Sequence, residues 1–396
     1  MSLIIVRLSA DSAADSCTLS SKGTMRSTLE PRPPWNLLLA ALCVLALDAL
    51  VFKSGLYQRM ASPISVSGFA ESFVRFEIAR PRTPGVDDAI VLGGSEVTEG
   101  VSPVDAEEAF PDTTLRLVAG GVPYITPRSV AYLLHRLDPD RNRYGIIVLP
   151  LQCYEACPDP DPPHDVTDAD ILAGTANLED YVEFSLTVPG VPDKVTTLAQ
   201  RLLGSVHYAK DFRDFLGDPR ARLELVHWTT AVGARRAYTY RGHSEDMVGL
   251  ALDPSTGDVR WPDRLTAKQR EKYGKNFRRL PREDSESTSQ ASASYLHQWL
   301  GRIVSSYRDK GTLIVFLRMP MGPVRLPLYD PPPGASNVVD EFRDERHVEI
   351  LDPKLFTFLE KPEYFWDMSH LNQLGRSFFS RKLLEILIRL RDAHAV

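Results

Sequence analysis

The chain has 396 residues, of which 43% are hydrophobic and 25% are charged, and its formal net charge is −6. This composition is that of an ordinary globular protein with room for a large core and a second lobe, so global disorder is excluded. The negative net charge gives no electrostatic reason to expect nucleic acid as a partner, because binding to phosphate backbones needs a basic face.

The first element in chain order is the apolar run WNLLLAALCVLALDALVF at residues 35–52. Its length is close to the roughly 20 apolar residues that cross a bilayer as a helix. Asp48 is the main argument against a span, although a carboxylate near one end of a span can reach the interface. No clear cleavage site follows the run. We therefore predict an uncleaved membrane anchor, with a signal peptide or a buried core helix as alternatives.

The regions around this anchor are assigned from their composition. Residues 1–34 are an N-terminal tail, in which Met25 heads a stretch typical of a short cytoplasmic start. Residues 53–86 read as a connector with a Pro/Gly-containing end, and residues 87–396 form the main domain. Flanking basic residues signal orientation only weakly. Because a large domain follows the anchor, we expect that domain outside the cytoplasm, on the periplasmic or cell-surface side of the cell membrane.

Short, continuous apolar runs in the main domain predict buried strands. They lie at residues 89–95, 115–121, 144–152 and 311–320, with 347–353 as a candidate fifth strand. Continuous rather than alternating hydrophobicity is typical of strands that are buried on both faces of a parallel sheet.

Helical patterns separate these strands. Ser102 followed by proline is a favourable helix start, and residues 127–137 have an apolar helical stripe. The last element places six apolar residues at helical spacing: Leu374, Phe378, Leu383, Ile386, Leu387 and Leu390. Strands that alternate with helices predict an α/β fold, a three-layer α/β/α sandwich with a parallel sheet.

The interval at about residues 155–294 is too long for one crossover connection. Its amphipathic segments predict a largely helical insertion that forms a lid or a second lobe. The polar run EDSESTSQASAS, at 283–294, predicts a flexible loop. The basic stretch at 264–279 is either a solvated helix face or a contact with anionic lipid or acidic glycan.

Two cysteines, Cys153 and Cys157, lie in the loop-like segment LQCYEACPDPDPP. If that loop is outside the cytoplasm, a small disulfide between them is one alternative, and two unrelated thiols are the other. No Cys or His spacing in the chain is typical of a zinc site, so neither a metal nor another cofactor is predicted.

Several polar residues and glycines fall at the predicted carboxyl ends of strands, where open parallel sheets bind ligands. Ser95 follows the first strand, and Gly120 and Gly121 end the second, where a backbone N–H can face an oxyanion. Gln152 ends the third strand and carries an amide donor. Arg318 ends the fourth strand, where it either binds an anionic substrate or pairs with a carboxylate.

Asp367 and His370 precede the last helix, three residues apart. This spacing lets the carboxylate orient the imidazole while the imidazole faces a serine. A serine hydroxyl is a poor nucleophile until a base takes its proton, and developing negative charge on the substrate oxygen needs preorganised donors. We therefore predict a triad of Ser95, His370 and Asp367. The predicted oxyanion donors are the backbone of Ser95 itself, Gly120 and Gly121, and the side chain of Gln152.

The blocks GGSEVTEGVSP, LRLVAGGVPYITPRSVAYLLHRL, GIIVLPLQ and WDMSHLNQLG, in this order, resemble those of the SGNH/GDSL hydrolase superfamily. The closer resemblance is to its membrane-anchored branch, which includes D-alanyl-lipoteichoic acid transfer proteins and proteins of the alginate-acetylation type. This resemblance implies Ser95 as the nucleophile, the Gly120/Gly121 turn as an oxyanion donor, and Asp367 and His370 as the orienting acid and the base. It covers the sheet-forming blocks but not the insertion.

Two features depart from the family pattern. The first block reads GGSE instead of GDSL, so the aspartate before the serine is absent, but GSSE-like variants are typical of the anchored branch. The third block lacks the expected asparagine, and Gln152 is the candidate replacement. The resemblance implies a serine acyltransferase or esterase that acts on an acylated cell-surface polysaccharide or related polymer, with a membrane-bound acyltransferase as a candidate partner. The alternatives are a plain glycan esterase and a noncatalytic scaffold that binds such a partner or a glycan.

Overall fold

The structure is a computed structural model, and it describes residues 35–151, 165–233, 243–253, 256, 258–277, 286–323 and 337–394. The chain divides into two compact units, Met1–Ala46 and Leu47–Val396. Gln152 and the two cysteines of the candidate disulfide, Cys153 and Cys157, lie outside the described residues.

The predicted anchor is helical. Helix α1 spans Trp35–Asp48 and is followed by a widened π-helical turn, Ala49–Lys53. The helical stretch Leu38–Arg59 is long and apolar enough to cross a membrane, and 11% of its most apolar window is buried. A core helix of a globular domain would be mostly buried, so the core-helix alternative does not describe this element.

The second unit is built on a parallel sheet of five strands in the order β2-β1-β3-β6-β7. The strands of this unit are β1 (Asp87–Gly93), β2 (Leu115–Gly121), β3 (Ile146–Leu151), β4 (Ala251–Leu252), β5 (Val259–Arg260), β6 (Leu313–Arg318) and β7 (Val348–Ile350). The short strands β4 and β5 form a separate antiparallel pair. The predicted parallel sheet, including its fifth strand, is confirmed.

Helices cover both faces of this sheet. The described helices of this unit are α2 (Val66–Ala79), α3 (Ser95–Gly100), α4 (Pro103–Ala109), α5 (Pro127–Leu137), α6 (Asp165–Thr175), α7 (Leu178–Thr187), α8 (Val191–Leu202), α9 (Gly204–His207), α10 (Ala209–Gly217), α11 (Pro219–Gly233), α12 (Ala267–Phe277), α13 (Glu286–Ser306) and α14 (Gln373–His394), of which α2, α5, α6 and α13 lie on one face and α3, α4 and α14 on the other. Alternate residues of β1 point into two hydrophobic cores, one on each face of the sheet, and the core that contains Ile90 is called the first core. Ile90 packs with α2, α5, α6 and α13, whereas Val91 packs with α3, α4 and α14. Both faces of the sheet are therefore buried, which explains why the strand sequences are continuously apolar.

The sequence predicted two of the helix starts correctly. Ser102 caps α4 by accepting a hydrogen bond from the Asp105 backbone N–H at 3.2 Å, and proline follows the cap. Thr126 caps α5 in the same way, with Ser129 as the donor. Such caps satisfy backbone N–H groups that have no acceptor within the helix.

Other expectations for local structure were wrong. The predicted connector contains α2, whose Ala70 and Val74 are buried in the first core. Residues 286–294 of the polar run belong to α13 and not to a loop. The Ser and Ala residues of the run weaken a helix only slightly. The second half of α13 is apolar and packs in the core, which holds the helix in place. In α14, Leu374 and Phe378 are exposed, and Phe379 is fully buried in their place.

The insertion is largely helical, as predicted, but its described part is not a second lobe. Helix α6 packs in the first core together with α2 and α5, and the described residues of the insertion belong to the same compact unit as the sheet. Because α3 follows β1 on one face and α6 follows β3 on the other, the chain leaves these neighbouring strands in opposite directions. A crevice between such strands, at their carboxyl ends, is where sheets of this kind bind ligands.

Candidate active site

Ser95 lies at the crevice between the carboxyl ends of β1 and β3. It is the first residue of α3, directly after the turn through Gly94 that ends β1, and it is half-buried. First-turn backbone N–H groups of a helix have no acceptor within the helix. The hydroxyl of Ser95 and its own N–H therefore stand at the same end of α3.

A tight loop between Phe365 and Leu371 carries the other two predicted residues. The loop is closed by an antiparallel bridge between Phe365 and Leu371. Inside it, one carboxylate oxygen of Asp367 accepts hydrogen bonds from the backbone N–H groups of Ser369 at 2.8 Å and His370 at 2.7 Å. Asp367 thus fixes the backbone that holds the histidine, as aspartate side chains do in turns of this kind.

The structure brings Ser95, His370 and Asp367 together. The second carboxylate oxygen of Asp367 is 2.8 Å from Nδ1 of His370, and Nε2 of His370 is 2.9 Å from Oγ of Ser95. The first contact fixes the ring orientation, and the second is short enough for direct proton transfer between the hydroxyl and the imidazole. The three side chains therefore form one continuous hydrogen-bonded chain.

The charges around His370 favour its protonated form. Burial lowers the pKa of the imidazole, but the hydrogen bond and the charge of Asp367, together with the carboxylates of Glu96 and Glu99, raise this pKa to about 9. Burial likewise opposes ionisation of Asp367, yet its interactions with His370 hold the pKa of this carboxyl below its usual range. The pair is therefore an ion pair at neutral pH.

The two glycines at the end of β2 are buried, Gly121 against α3 and Gly120 against β1 and α2. A Cβ atom at Gly121 would lie 2.3 Å from the backbone nitrogen of Thr98, and one at Gly120 would lie 2.6 Å from a Leu92 methyl group. Gly121 thus lets the helix that carries Ser95 lie directly on the end of β2. The described contacts give the two glycines this packing role, and their role as oxyanion donors stays a prediction.

Two further contacts fix the triad loop to the sheet. A Cβ atom at Gly322, in the segment after β6, would lie 1.8 Å from the carbonyl oxygen of Met368. The guanidinium of Arg376 in α14 donates to the carbonyl of Val101, which follows α3, at 2.8 Å. Because α14 directly follows the loop that carries His370, and Val101 directly follows the helix that carries Ser95, the second contact joins the elements next to the two halves of the triad.

Arg318 forms a buried ion pair. Its side chain is 7% exposed and donates to a carboxylate oxygen of Glu360 at 2.6 Å and to the carbonyl of Pro353 at 2.8 Å. The structure therefore shows the carboxylate pairing and not a guanidinium that projects into the crevice. To bind an anionic substrate, Arg318 would have to leave these partners, which is costly for a buried charge.

The second part of the insertion packs on the triad loop. The imidazole of His243 stacks on the indole of Trp366, with ring centroids 3.8 Å apart, and the other neighbour of this indole is the ring of His370 at 5.7 Å. The carbonyl of His243 accepts a hydrogen bond from the Gln373 backbone N–H, and Arg264 donates to the carbonyl of Trp366. The insertion thus supports the ring of His370 from behind.

Sequence patterns did not single out Glu96, Glu99, His243 or Trp366 as part of the site. A signal for Glu99 was present, because a residue four positions after Ser95 in a helix lies beside it. The stack of His243 on Trp366 joins residues that are far apart in the chain, and no local spacing predicts such a contact.

The sequence matches no protein-family model and no curated protein.

Proposed function

We propose that this chain is a membrane-anchored serine acyltransferase or esterase of the SGNH type, with a catalytic domain outside the cytoplasm. The single observation that carries the proposal is the chain of hydrogen bonds from Ser95 through His370 to Asp367, with lengths of 2.9 and 2.8 Å. The position of Ser95 at the crevice of a parallel sheet and the apolar helix at Leu38–Arg59 support it.

The proposed reaction has two halves. Neutral His370 takes the proton of Ser95 through Nε2 while Oγ attacks the carbonyl carbon of an acyl ester or thioester. The tetrahedral intermediate collapses, the leaving group takes the proton from His370, and the acyl group stays on Ser95. In the second half a sugar hydroxyl or water gives its proton to His370 and attacks the carbonyl carbon of the acyl-serine. The bond from this carbon to Oγ breaks, Oγ of Ser95 takes the proton from His370, and the acylated sugar, or the free acid when water attacks, is released.

The substrate class rests on the resemblance and the anchor: an acylated polysaccharide or related polymer at the cell surface, reached by an enzyme held at the membrane. A polymer of this kind outside the membrane fits a half-buried serine that solvent can reach. A membrane-bound acyltransferase remains the candidate partner that supplies the acyl group.

Labelling with a fluorophosphonate tests the nucleophile. Such reagents modify serines activated by a base, and the reaction is best run near about pH 9, where His370 loses its proton. The native chain and Ser305→Ala, which changes an exposed serine in α13, should label equally, whereas Ser95→Ala should not label. Equal labelling of the native chain and Ser95→Ala would sink the assignment, and no labelling of the native chain would favour the scaffold alternative.

A product assay then separates transfer from hydrolysis. The chain is incubated with an activated acetyl ester and an oligosaccharide, and acetylated sugar is measured against free acetate. We expect acetylated sugar to exceed the amount formed with Ser95→Ala by at least about tenfold, as loss of a nucleophile requires. Free acetate alone would identify a plain esterase.

A further inference from the structure

Helix α8 of the insertion presents an apolar stripe to the outside of the unit. Val191, Val195 and Leu202 are 73%, 60% and 60% exposed, and with Leu198 they lie within about 60° of the helix circumference. A continuous apolar face of this kind is unfavourable in water and marks a surface that meets something apolar. We call these four residues the α8 stripe.

The stripe does not result from a loosely attached helix. The flanking side of α8 is held by hydrogen bonds from the Tyr181 hydroxyl to the carbonyl of Thr197, at 2.9 Å, and from Arg201 to the carbonyls of Ala173 and Ala176. Thr197 itself is buried. One side of α8 is therefore fixed to α6 and α7 while its apolar side remains uncovered.

The segment after the C-terminal end of α8 contacts the last part of the apolar run, at Asp48 in α1 and at Phe52 in the π-helical turn that follows α1. The carboxylate of Asp48 accepts hydrogen bonds from the backbone N–H groups of Gly204 at 3.1 Å and Ser205 at 2.6 Å. A Cβ atom at Gly204 would lie 2.4 Å from Cβ of Phe52, and the Phe52 ring packs on Tyr208. Leu202 is thus two residues away from this junction.

The junction lies inside the apolar run and not beyond it. Asp48 precedes Phe52, the last residue of the run, by four positions, which is about 6 Å along a helix. Other apolar side chains near the junction are also exposed: Leu50 is 69%, Leu56 is 56% and Val206 is 37% exposed. If the run crosses a bilayer, these side chains and the end of α8 lie at the depth of the lipid interface.

We infer that the α8 stripe and Val206 rest in the interfacial layer of a phospholipid bilayer, so that the insertion lies on the membrane that the anchor crosses. This inference rests on the proposed anchor. Lipid is favoured over a protein partner because the stripe is continuous with the exposed apolar residues of the anchor's end and carries no polar side chain for specific recognition. The contact also explains how Asp48 is tolerated in the run, since backbone N–H groups of the insertion satisfy its carboxylate.

Depth-dependent quenching tests the inference on the full chain. The protein is reconstituted in vesicles of dioleoylphosphatidylcholine with or without a doxyl-labelled phosphatidylcholine, and an environment-sensitive fluorophore is attached to single cysteines. With the other cysteines replaced by serine, native Cys43 in α1 reports on the anchor. Val195→Cys and Leu202→Cys, each in a background without Cys43, report on the stripe. Asp193→Cys, on the opposite side of α8 and also exposed, is the matched control.

We expect at least about twofold quenching of the labels at Cys43, Val195→Cys and Leu202→Cys, and little at Asp193→Cys. Quenching at Cys43 with stripe labels that behave like Asp193→Cys would overturn the lipid contact and leave the anchor intact. An unquenched Cys43 would remove the anchor and the inference together. Stripe labels that are shielded from water but not quenched would show that a protein or a second copy of the chain covers α8, which also overturns the inference.

Discussion

His370 has a pKa of about 9, so at neutral pH the imidazole is almost entirely protonated and cannot take the proton of Ser95. We therefore predict that kcat/KM for an activated acetyl ester increases about tenfold per pH unit between about pH 6 and 8 and levels off near about pH 9. Initial rates corrected with Ser95→Ala measure this profile. A plateau already at pH 7 would mean that the ion pair does not hold the proton on His370.

Glu96 also favours the protonated form of His370, because the charge of its carboxylate raises the pKa of the imidazole. Glu96→Gln removes a negative charge and keeps the shape of the side chain, so we expect the pH–rate profile to move to lower pH and the rate at pH 7 to increase by about two- to fivefold. Glu108→Gln, an exposed residue of α4, is the control and should leave the profile in place. An unmoved profile in Glu96→Gln would contradict the electrostatic role.

The same pair makes stability depend on pH. The folded-state pKa of His370 exceeds its ordinary value of 6.5, so its contribution is complete below about pH 6.5 and is lost as the pH rises through about 9. Asp367 has a lowered pKa, so its contribution is present above 3.8 and is lost as the pH falls below that value.

We accordingly predict that the difference in unfolding free energy between the native chain and Asp367→Asn is largest near about pH 5 to 6. It should narrow by up to about 3 kcal/mol by pH 10, since the pKa of His370 is raised from 6.5 to about 9. Urea unfolding of the two detergent-solubilised proteins measures this difference at both ends of the pH range. A difference that stays constant over this range would show that the pair does not couple to folding.

At the scale of elements, the site depends on how closely α3 lies on the end of β2. Gly121→Ala would place a Cβ atom 2.3 Å from a backbone nitrogen of that helix, which must then move together with Ser95. We expect at least about a hundredfold loss of kcat/KM and about 1–3 kcal/mol of destabilisation. Gly217→Ala, the same change where nothing lies within 4 Å, should affect neither quantity. Activity within threefold of native for Gly121→Ala would disprove the required close approach.

The elements also show how far local patterns predict this molecule. Continuous apolar runs predicted the strands, and caps such as Ser102 predicted helix starts, because both depend on neighbours in the chain. Leu383, Ile386 and Leu387 of the predicted α14 stripe are buried, but the stripe is wrong in the first turns of the helix, where Phe379 is buried and Phe378 is exposed. Ser95 was predicted from its place after a buried strand, and the Asp367–His370 pair from its three-residue spacing and from the resemblance of its block to a known family. The stack of His243 on Trp366 depends on a long insertion and has no local pattern.

At the scale of the whole molecule, a buried polar network joins the insertion to the segment after the apolar helix. Asp211 in α10 accepts hydrogen bonds from the Tyr57 hydroxyl at 2.8 Å, from the Ser62 backbone N–H and from Arg222. Tyr57 also packs with Phe52 and Phe212 in a cluster of aromatic rings. Because Arg222 is 8% exposed, its charge relies on Asp211.

We predict that Asp211→Ala destabilises the chain by about 3–5 kcal/mol, because it leaves the buried guanidinium of Arg222 without its carboxylate. Tyr57→Phe removes only one hydrogen bond and should cost about 1 kcal/mol. Urea unfolding in detergent measures both. A loss below 1 kcal/mol for Asp211→Ala would mean that the network does not hold the insertion in place.

The compact unit begins at Leu47, inside the apolar helix. A water-soluble truncation that starts after Phe52 would discard the carboxylate of Asp48 and a ring of the aromatic cluster, and would leave the insertion without part of its support. A truncation that starts at Leu47 keeps both but brings Leu47 and Leu50, 60% and 69% exposed, into water. Crystallisation or assays without detergent therefore call for the longer form with polar residues at these two positions.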